Sequence, residues 1–132
     1  MPRYFTLDQA NELLPELRNL LTRIQEIRRL TLERQEEIEA LGEKAGGNGH
    51  SPMDELHEHY RSVERLSQDL KNQIEEVQAL GCEIKDLDRG LVDFRSWRHG
   101  QEVYLCWMLG EGEIAYWHDL QAGFGGRMPI GG

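Results

Sequence analysis

Three aspartates, Asp86, Asp88 and Asp93, crowd around Arg89 in the stretch KDLDRGLVDFRSW, which runs from Lys85 to Trp97. Further on, YWHDLQAGFGG carries His118 and Asp119 side by side. If the chain brings these two segments together, the set holds a histidine and several carboxylates. Those are the donors of a divalent metal, or the partners needed for general acid–base chemistry. The spacing is not diagnostic of either. In an extended strand, neighbouring His118 and Asp119 point to opposite faces, so a single site draws on one of them. The competing reading is a charged turn. Alternation sets Asp86 and Asp88 on the face of Ile84, and Arg89-Gly90 has turn character, with Asp88 placed to accept backbone N–H bonds.

Two other places could hold a ligand. In QAGFGGRMP the glycines let backbone approach an anion and Arg127 supplies a fixed cation, but no lysine and no helix follow, so this is not a P-loop. The reading favoured here is that Gly123, Gly125 and Gly126 turn the chain so that Phe124 covers the sheet. In MDELHEHYRSVE, Glu55 and His59 are four residues apart and face the same way, as do Asp54 with Glu58 and His57 with Arg61, so a two-ligand metal clip of Glu55 and His59 is sterically allowed. The zinc-protease pattern HExxH is absent. A solvated polar face is the favoured reading of these residues, although a dimer bringing two Glu55/His59 pairs together would build a bundle-core site. Nearby Met53 and Tyr60 imply that this face is partly covered. Nucleophilic catalysis has little support, since no serine sits in a GxSxG turn and neither cysteine adjoins a histidine.

The elements that must position these residues are legible in outline. Thr6 and Gln9 match a capping box, so a first helix begins at Leu7 and runs over residues 7–43. Leu13, Leu17, Leu20, Ile24 and Ile27 form its apolar stripe, resumed at Ile38 and Leu41. Pro15 lies within it and predicts a kink near Asn11 to Pro15, not a new helix. The glycine-rich stretch GEKAGGNGHSP ends this helix, and residues 44–51 are expected to be a flexible loop. Ser51, Pro52 and Asp54 signal a second helix over 52–80, with Met53, Leu56, Tyr60, Val63, Leu70, Ile74, Val77 and Leu80 on one face and Gly81 as its cap. The two helices form a long antiparallel hairpin of roughly 40–55 Å, part of which must project or pair with another copy.

After Gly81 the period becomes strand-like. CEIKDL, GLVDF, EVYLCWML and IAYWHDL read as a three- or four-stranded antiparallel meander over 82–119, joined by the turn-like DRG, SWRHGQ and GEGE. Residues 120–132 form an irregular glycine-rich tail. In EVYLCWML, Val103, Leu105, Trp107 and Leu109 face one side and Tyr104, Cys106 and Met108 the other, so both faces are apolar. The helices cover one. The second meets the tail, through Phe124, Met128 and Ile130, or another subunit. The fold class expected is therefore α+β, one domain over 1–132, with Leu105, Trp107, Tyr104, Trp117 and Phe124 as interface residues of a homodimer or higher oligomer.

The chain has 132 residues with 24 acidic against 15 basic, a formal charge of -9. That disfavours binding to nucleic acid or an anionic membrane, and no basic patch offsets it. No apolar run approaches the roughly 20 residues of a spanning helix, and MPRYFTLDQ has no secretion-signal pattern, so the expected compartment is the cytoplasm. Cys82 and Cys106 are expected to be buried, reduced thiols.

Three segments carry a resemblance that covers nearly the whole chain: YFTLDQANELLPELR at 4–18, IKDLDRGLVDF at 84–94, and VYLCWMLGEGEIAYWHDLQAGFGGR at 103–127. Together they resemble a small uncharacterised bacterial family, a domain of unknown function whose members sometimes carry the name division initiation protein. The resemblance implies a helical hairpin with a small β region and no established activity. Two functional expectations follow. The first is a non-enzymatic, oligomeric interaction protein that uses the hairpin and the aromatic sheet, with a protein partner. The alternative is a small metal- or anion-binding enzyme working through Asp86, Asp88, Asp93, His118 and Arg127, with a divalent metal as cofactor.

Overall fold

Thr6 caps the first helix as its sequence predicts: its Oγ1 accepts from the Gln9 backbone N–H at 3.1 Å, and Gln9 Oε1 accepts from the Thr6 N–H at 3.0 Å. The computed structural model describes residues 3–44 and 52–131, so the expected loop residues 45–51 and the Ser51 cap signal lie outside the described residues. The first helix differs from expectation at Pro15. Instead of one kinked helix there are two, α1 (Leu7–Glu12) and α2 (Leu14–Lys44), divided at Leu13. The cause is local. Leu13 keeps helical angles, but its N–H turns to the Ala10 carbonyl, and Pro15 then falls in the first turn of α2, where a missing N–H removes no helical bond.

The long helix α2, at 31 residues about 46 Å, packs along α3 (Pro52–Ala79). Three cross-helix contacts set their direction: Arg23 to Asp69 at 3.1 Å, Arg34 to Ser62 at 3.2 Å, and His59 to Glu37 at 3.1 Å. The partner number falls as the α2 number rises, so the pair is an antiparallel hairpin. Burial is concentrated at one end. Leu14, Leu17, Leu21, Ile24 and Ile27 are buried, whereas Leu32, Met53 and Tyr60 are exposed. The expectation that Met53 and Tyr60 mark a covered face is thus corrected, because the sheet underlies only the part of the hairpin nearer α1.

That sheet has five antiparallel strands in sequential order: β1 (Glu83–Asp86), β2 (Leu91–Arg98), β3 (Gln101–Met108), β4 (Tyr116–Asp119) and β5 (Met128–Pro129). The meander is longer than the three or four strands expected, for two reasons. SWRHGQ is not all turn: His99 and Gly100 both take positive φ, 51° and 78°, closing a two-residue hairpin that lets β2 run on to Arg98. The tail is not all irregular, since Met128–Pro129 pairs with β4.

Alternation along β3 holds. The face bearing Val103, Leu105 and Trp107 meets the helices, and Leu17, Leu21, Ile24, Val77, Val92, Phe94, Leu105 and Trp107 join one apolar cluster. Trp107 is fully buried and donates its indole N–H to the Gly112 carbonyl at 2.8 Å. Leu105, Trp107 and Tyr104 are therefore corrected from interface to interior. On the other face, Tyr104 and Cys106 are also buried. Lys85 and Arg95 lie over the Tyr104 ring at 4.9 and 5.3 Å. The tail covers the end near Cys106, where the Arg127 guanidinium lies 4.1 Å from the ring centres of both Tyr116 and Phe124, with Arg89 5.0 Å from Phe124. Of the expected tail residues, Ile130 packs instead on the helix side and Met128 is exposed. The cover needs no second subunit. Trp117 and Phe124 are half-buried, Trp117 against the core.

Candidate metal centre

Three adjacent strands place one donor each on the tail-covered face. In the β2–β3 register Asp93 stands opposite Cys106; in the β3–β4 register Cys106 stands opposite Tyr116 and Tyr104 opposite His118. Residues two apart on a strand share a face, so Asp93, Cys106 and His118 converge. Their donor atoms all lie within 4.8 Å of one another. All three side chains are buried, with relative exposures of 2%, 0% and 1%.

The hydrogen bonds of His118 decide what this cluster can do. Nδ1 lies 2.7 Å from the backbone carbonyl oxygen of Asp119, which can only accept, so Nδ1 carries a proton. In the neutral ring Nε2 is then a bare lone pair. It faces Oδ2 of Asp93 at 3.1 Å, itself an acceptor when ionised. Two lone pairs at that distance in a buried site repel, so a proton or a metal ion must lie between them. The other carboxylate oxygen, Oδ1, is buried with no hydrogen-bond partner. A histidine held by an Nδ1–H to a backbone carbonyl, with Nε2 free, is the arrangement that metal-binding histidines adopt.

Burial pushes the Asp93 carboxyl above its usual range against the opposing pull of His118, Cys106 and Lys85. The Cys106 thiol is pushed up to about 12, first by burial and then by the charge of Asp93. At neutral pH it is therefore a thiol, and without a metal it is no nucleophile. Neither His118 nitrogen serves it as a base, because Asp119 and Asp93 engage both. The nearby cations are neutralised locally, Lys85 by Glu83 at 3.1 Å and Arg127 by both oxygens of Glu111 at 3.1 and 2.9 Å.

The other candidates separate from this centre. Asp86 is a turn residue: its Oδ1 accepts from the backbone N–H groups of Asp88 and Arg89, and its Oδ2 from the Arg89 side chain at 2.9 Å. Asp88 leaves the strand altogether and binds the Arg28 fork of α2 through Oδ1 at 3.0 and 2.6 Å. The charged-turn reading holds for Asp86, with Arg89 completing the turn, and is corrected at Asp88: the backbone N–H bonds expected at its carboxylate go to Asp86, while Asp88 pairs with Arg28. Asp119 points outward as alternation predicts, its carboxylate capping Gln121 and Ala122 while its carbonyl orients His118. Arg127 is paired, not a free anion receptor. Glu55 is exposed, and His59 turns to Glu37 of α2, so they form no clip. Cys106 is the donor that sequence reasoning missed. Its face was readable from the alternation of β3, but the register that sets it against Asp93 was not.

Fold and site together define an α+β protein in which a helical hairpin lies on one face of a five-stranded sheet and a buried Asp–Cys–His cluster on the other. The chain belongs to the uncharacterized conserved protein family DUF2203, which it matches over residues 3–130. No curated protein and no solved structure matches it. Among the described residues no helix is long and apolar enough to cross a membrane.

Proposed function

We propose that this protein binds one divalent cation of borderline softness, such as zinc, through Asp93, Cys106 and Nε2 of His118. The observation that carries the reading is the buried pair of facing acceptors, Nε2 and Oδ2, beside an unpartnered Oδ1. A thiolate, an imidazole and a carboxylate together suit zinc better than calcium or magnesium. Tetrahedral donors at zinc distances stand roughly 3.3–3.8 Å apart. From a spread within 4.8 Å, the cluster need contract by no more than about 1.5 Å. The metal would deprotonate Cys106 and replace the proton between His118 and Asp93. Three protein donors leave a fourth position, and the cover of Phe124 and Arg127 favours a structural centre over a catalytic one. Two buried thiols with no disulfide are in keeping with a reducing compartment.

A second reading, an oligomeric interaction protein, rests on the exposure of Leu32, Met53 and Tyr60 on the hairpin. Both readings meet in one experiment. Chelator-free protein is passed through size-exclusion chromatography with light scattering, and metal is determined on the same peak. About one zinc per chain in the wild type, lost in Cys106→Ala at unchanged mass, supports the metal reading. A wild type that carries none and takes up none on titration overturns it. A mass of two or more chains, reduced by Leu32→Glu, supports the second reading, and a monomer at all concentrations overturns it.

A further inference from the structure

The helix-facing side of the sheet carries a second site, away from the metal centre. Beyond α1 the apolar cluster does not close. A cavity of about 370 Å³ opens there, lined by Leu7, Val103, Leu105 and Ile130, with Gln9 and Arg98 among its polar residues. That volume lies at the small end of the range for small-ligand sites, roughly 300–1,000 Å³.

The side-chain bonding capacity left at this cavity is chiefly that of donors. Arg98 lies over the Trp117 ring at 4.9 Å, and among the described residues no carboxylate pairs with it, although Arg95, three residues earlier, pairs with both Glu83 and Glu102. Arg3 and Arg18 also lack a carboxylate but donate to the Leu80 and Gly112 carbonyls, whereas Arg98 borders an apolar cavity with no hydrogen-bond acceptor on its guanidinium among the described residues. Gln9 commits its Oε1 to the Thr6 N–H, which leaves its amide N–H₂ to donate. Ser96, also in the lining, already donates its hydroxyl to the Phe5 carbonyl at 2.6 Å. The remaining side-chain donors are thus a guanidinium, an amide and the Thr6 hydroxyl, which accepts from the Gln9 N–H and is free to donate, and the walls are largely aliphatic. Tyr4 and Trp97, stacked with ring centres 5.0 Å apart, form an aromatic rim.

We propose that this cavity binds a small monocarboxylate with an apolar body, the carboxylate on Arg98 and the hydrocarbon against Val103, Leu105 and Ile130. A planar guanidinium backed by an indole ring is well placed for bidentate pairing with a carboxylate. Zinc loading is not required, since Arg98 shares the face of Phe94 and Ser96, opposite to Asp93.

The test uses octanoate as probe and octan-1-ol as the neutral control, followed by the indole N–H signals of the three tryptophans. Octanoate is expected to saturate with shifts at Trp97 and Trp117 and none at Trp107, whose N–H is bonded to Gly112. Arg98→Leu is expected to weaken octanoate at least tenfold without weakening octanol. Ile130→Trp, which fills the cavity and keeps the guanidinium, is expected to abolish binding. Absence of saturation, equal affinity of octanoate and octanol, or an Arg98→Leu variant that binds octanoate as the wild type does would each overturn the proposal.

Discussion

Nε2 of His118 lies 3.1 Å from Oδ2 of Asp93, both residues almost wholly buried, while Nδ1 of the same ring is held by the Asp119 carbonyl. The second bond makes the first informative. Because Nδ1 must carry a proton, whatever joins Nε2 to Oδ2 is either a second proton or a cation. In metal-free protein it is the proton, and the pair is a buried, hydrogen-bonded acid and base.

Breaking that pair from one side should be expensive. His118→Ala strands the Asp93 carboxyl in a buried site, and loss of one member of a buried pair typically costs about 3–5 kcal/mol. The expected outcome is a large fall in the urea midpoint of metal-free protein, with Asp93→Asn milder because asparagine can still donate to Nε2. A His118→Ala midpoint within error of the wild type would count against the pairing.

The interior position of Leu105 and Trp107 makes a second prediction that separates packing from association. Trp107→Ala should lower stability by about 3–5 kcal/mol, and Leu105→Asp should abolish cooperative unfolding, since an unpaired charge would enter the core. Circular dichroism melts read both. A folded Leu105→Asp variant with a changed mass would instead restore these residues to an interface.

Gly90 closes the turn between β1 and β2 with φ +65°, and a Cβ there would stand 2.7 Å from Cβ of Leu109. Gly90→Ala meets both a strained backbone and a clash with an atom fixed close to the main chain. Its expected cost exceeds the roughly 1 kcal/mol of an ordinary glycine replacement and shows as a drop in melting temperature. Gly100→Ala, with nothing near its Cβ, should show the backbone contribution alone.

Acid should weaken the fold through two ion pairs on the sheet. Asp86 is held below its ordinary 3.8 chiefly by the Arg89 side chain and then by the backbone N–H of the same residue. Glu102 is held below 4.5 chiefly by the Tyr4 hydroxyl and then by Arg95. Both folded values are depressed, so the stabilisation is fully present above the unfolded values and is lost as pH falls through the folded ones. The urea midpoint should therefore decline below about pH 4.5, and Glu102→Gln should decline less steeply over that window. A Glu102→Gln variant with the wild-type slope would remove Glu102 from the account.

Much of the fold could be read from local signals: the Thr6–Gln9 box, the helix start at Pro52, the positive-φ Gly81 after the second long helix and the β3 alternation each involve residues within a few positions. The Pro15 break is not legible in the sequence, because a proline in the first turn of a new helix and one inside a kinked helix differ only in where Leu13 sends its N–H. The site was legible in part. Residue type alone marks Asp93 and His118 as candidates, whereas Asp86 and Asp88 join Asp93 only by proximity in sequence. A bulge near Asp86 and a turn at Asp88 turn them aside, toward α2 for Asp88. Cys106 joins through cross-strand register, which depends on the two-residue turn at His99 and Gly100 and not on any motif.

The most direct measurement of the metal site is a cobalt titration of reduced, metal-free protein followed by absorbance. One equivalent of Co²⁺ should raise an intense near-ultraviolet thiolate-to-metal band together with visible bands of tetrahedral strength, displaced by zinc, and Cys106→Ala should lose the near-ultraviolet band. Saturation with no thiolate band, or bands that persist unchanged in Cys106→Ala, would contradict a centre built on Asp93, Cys106 and His118.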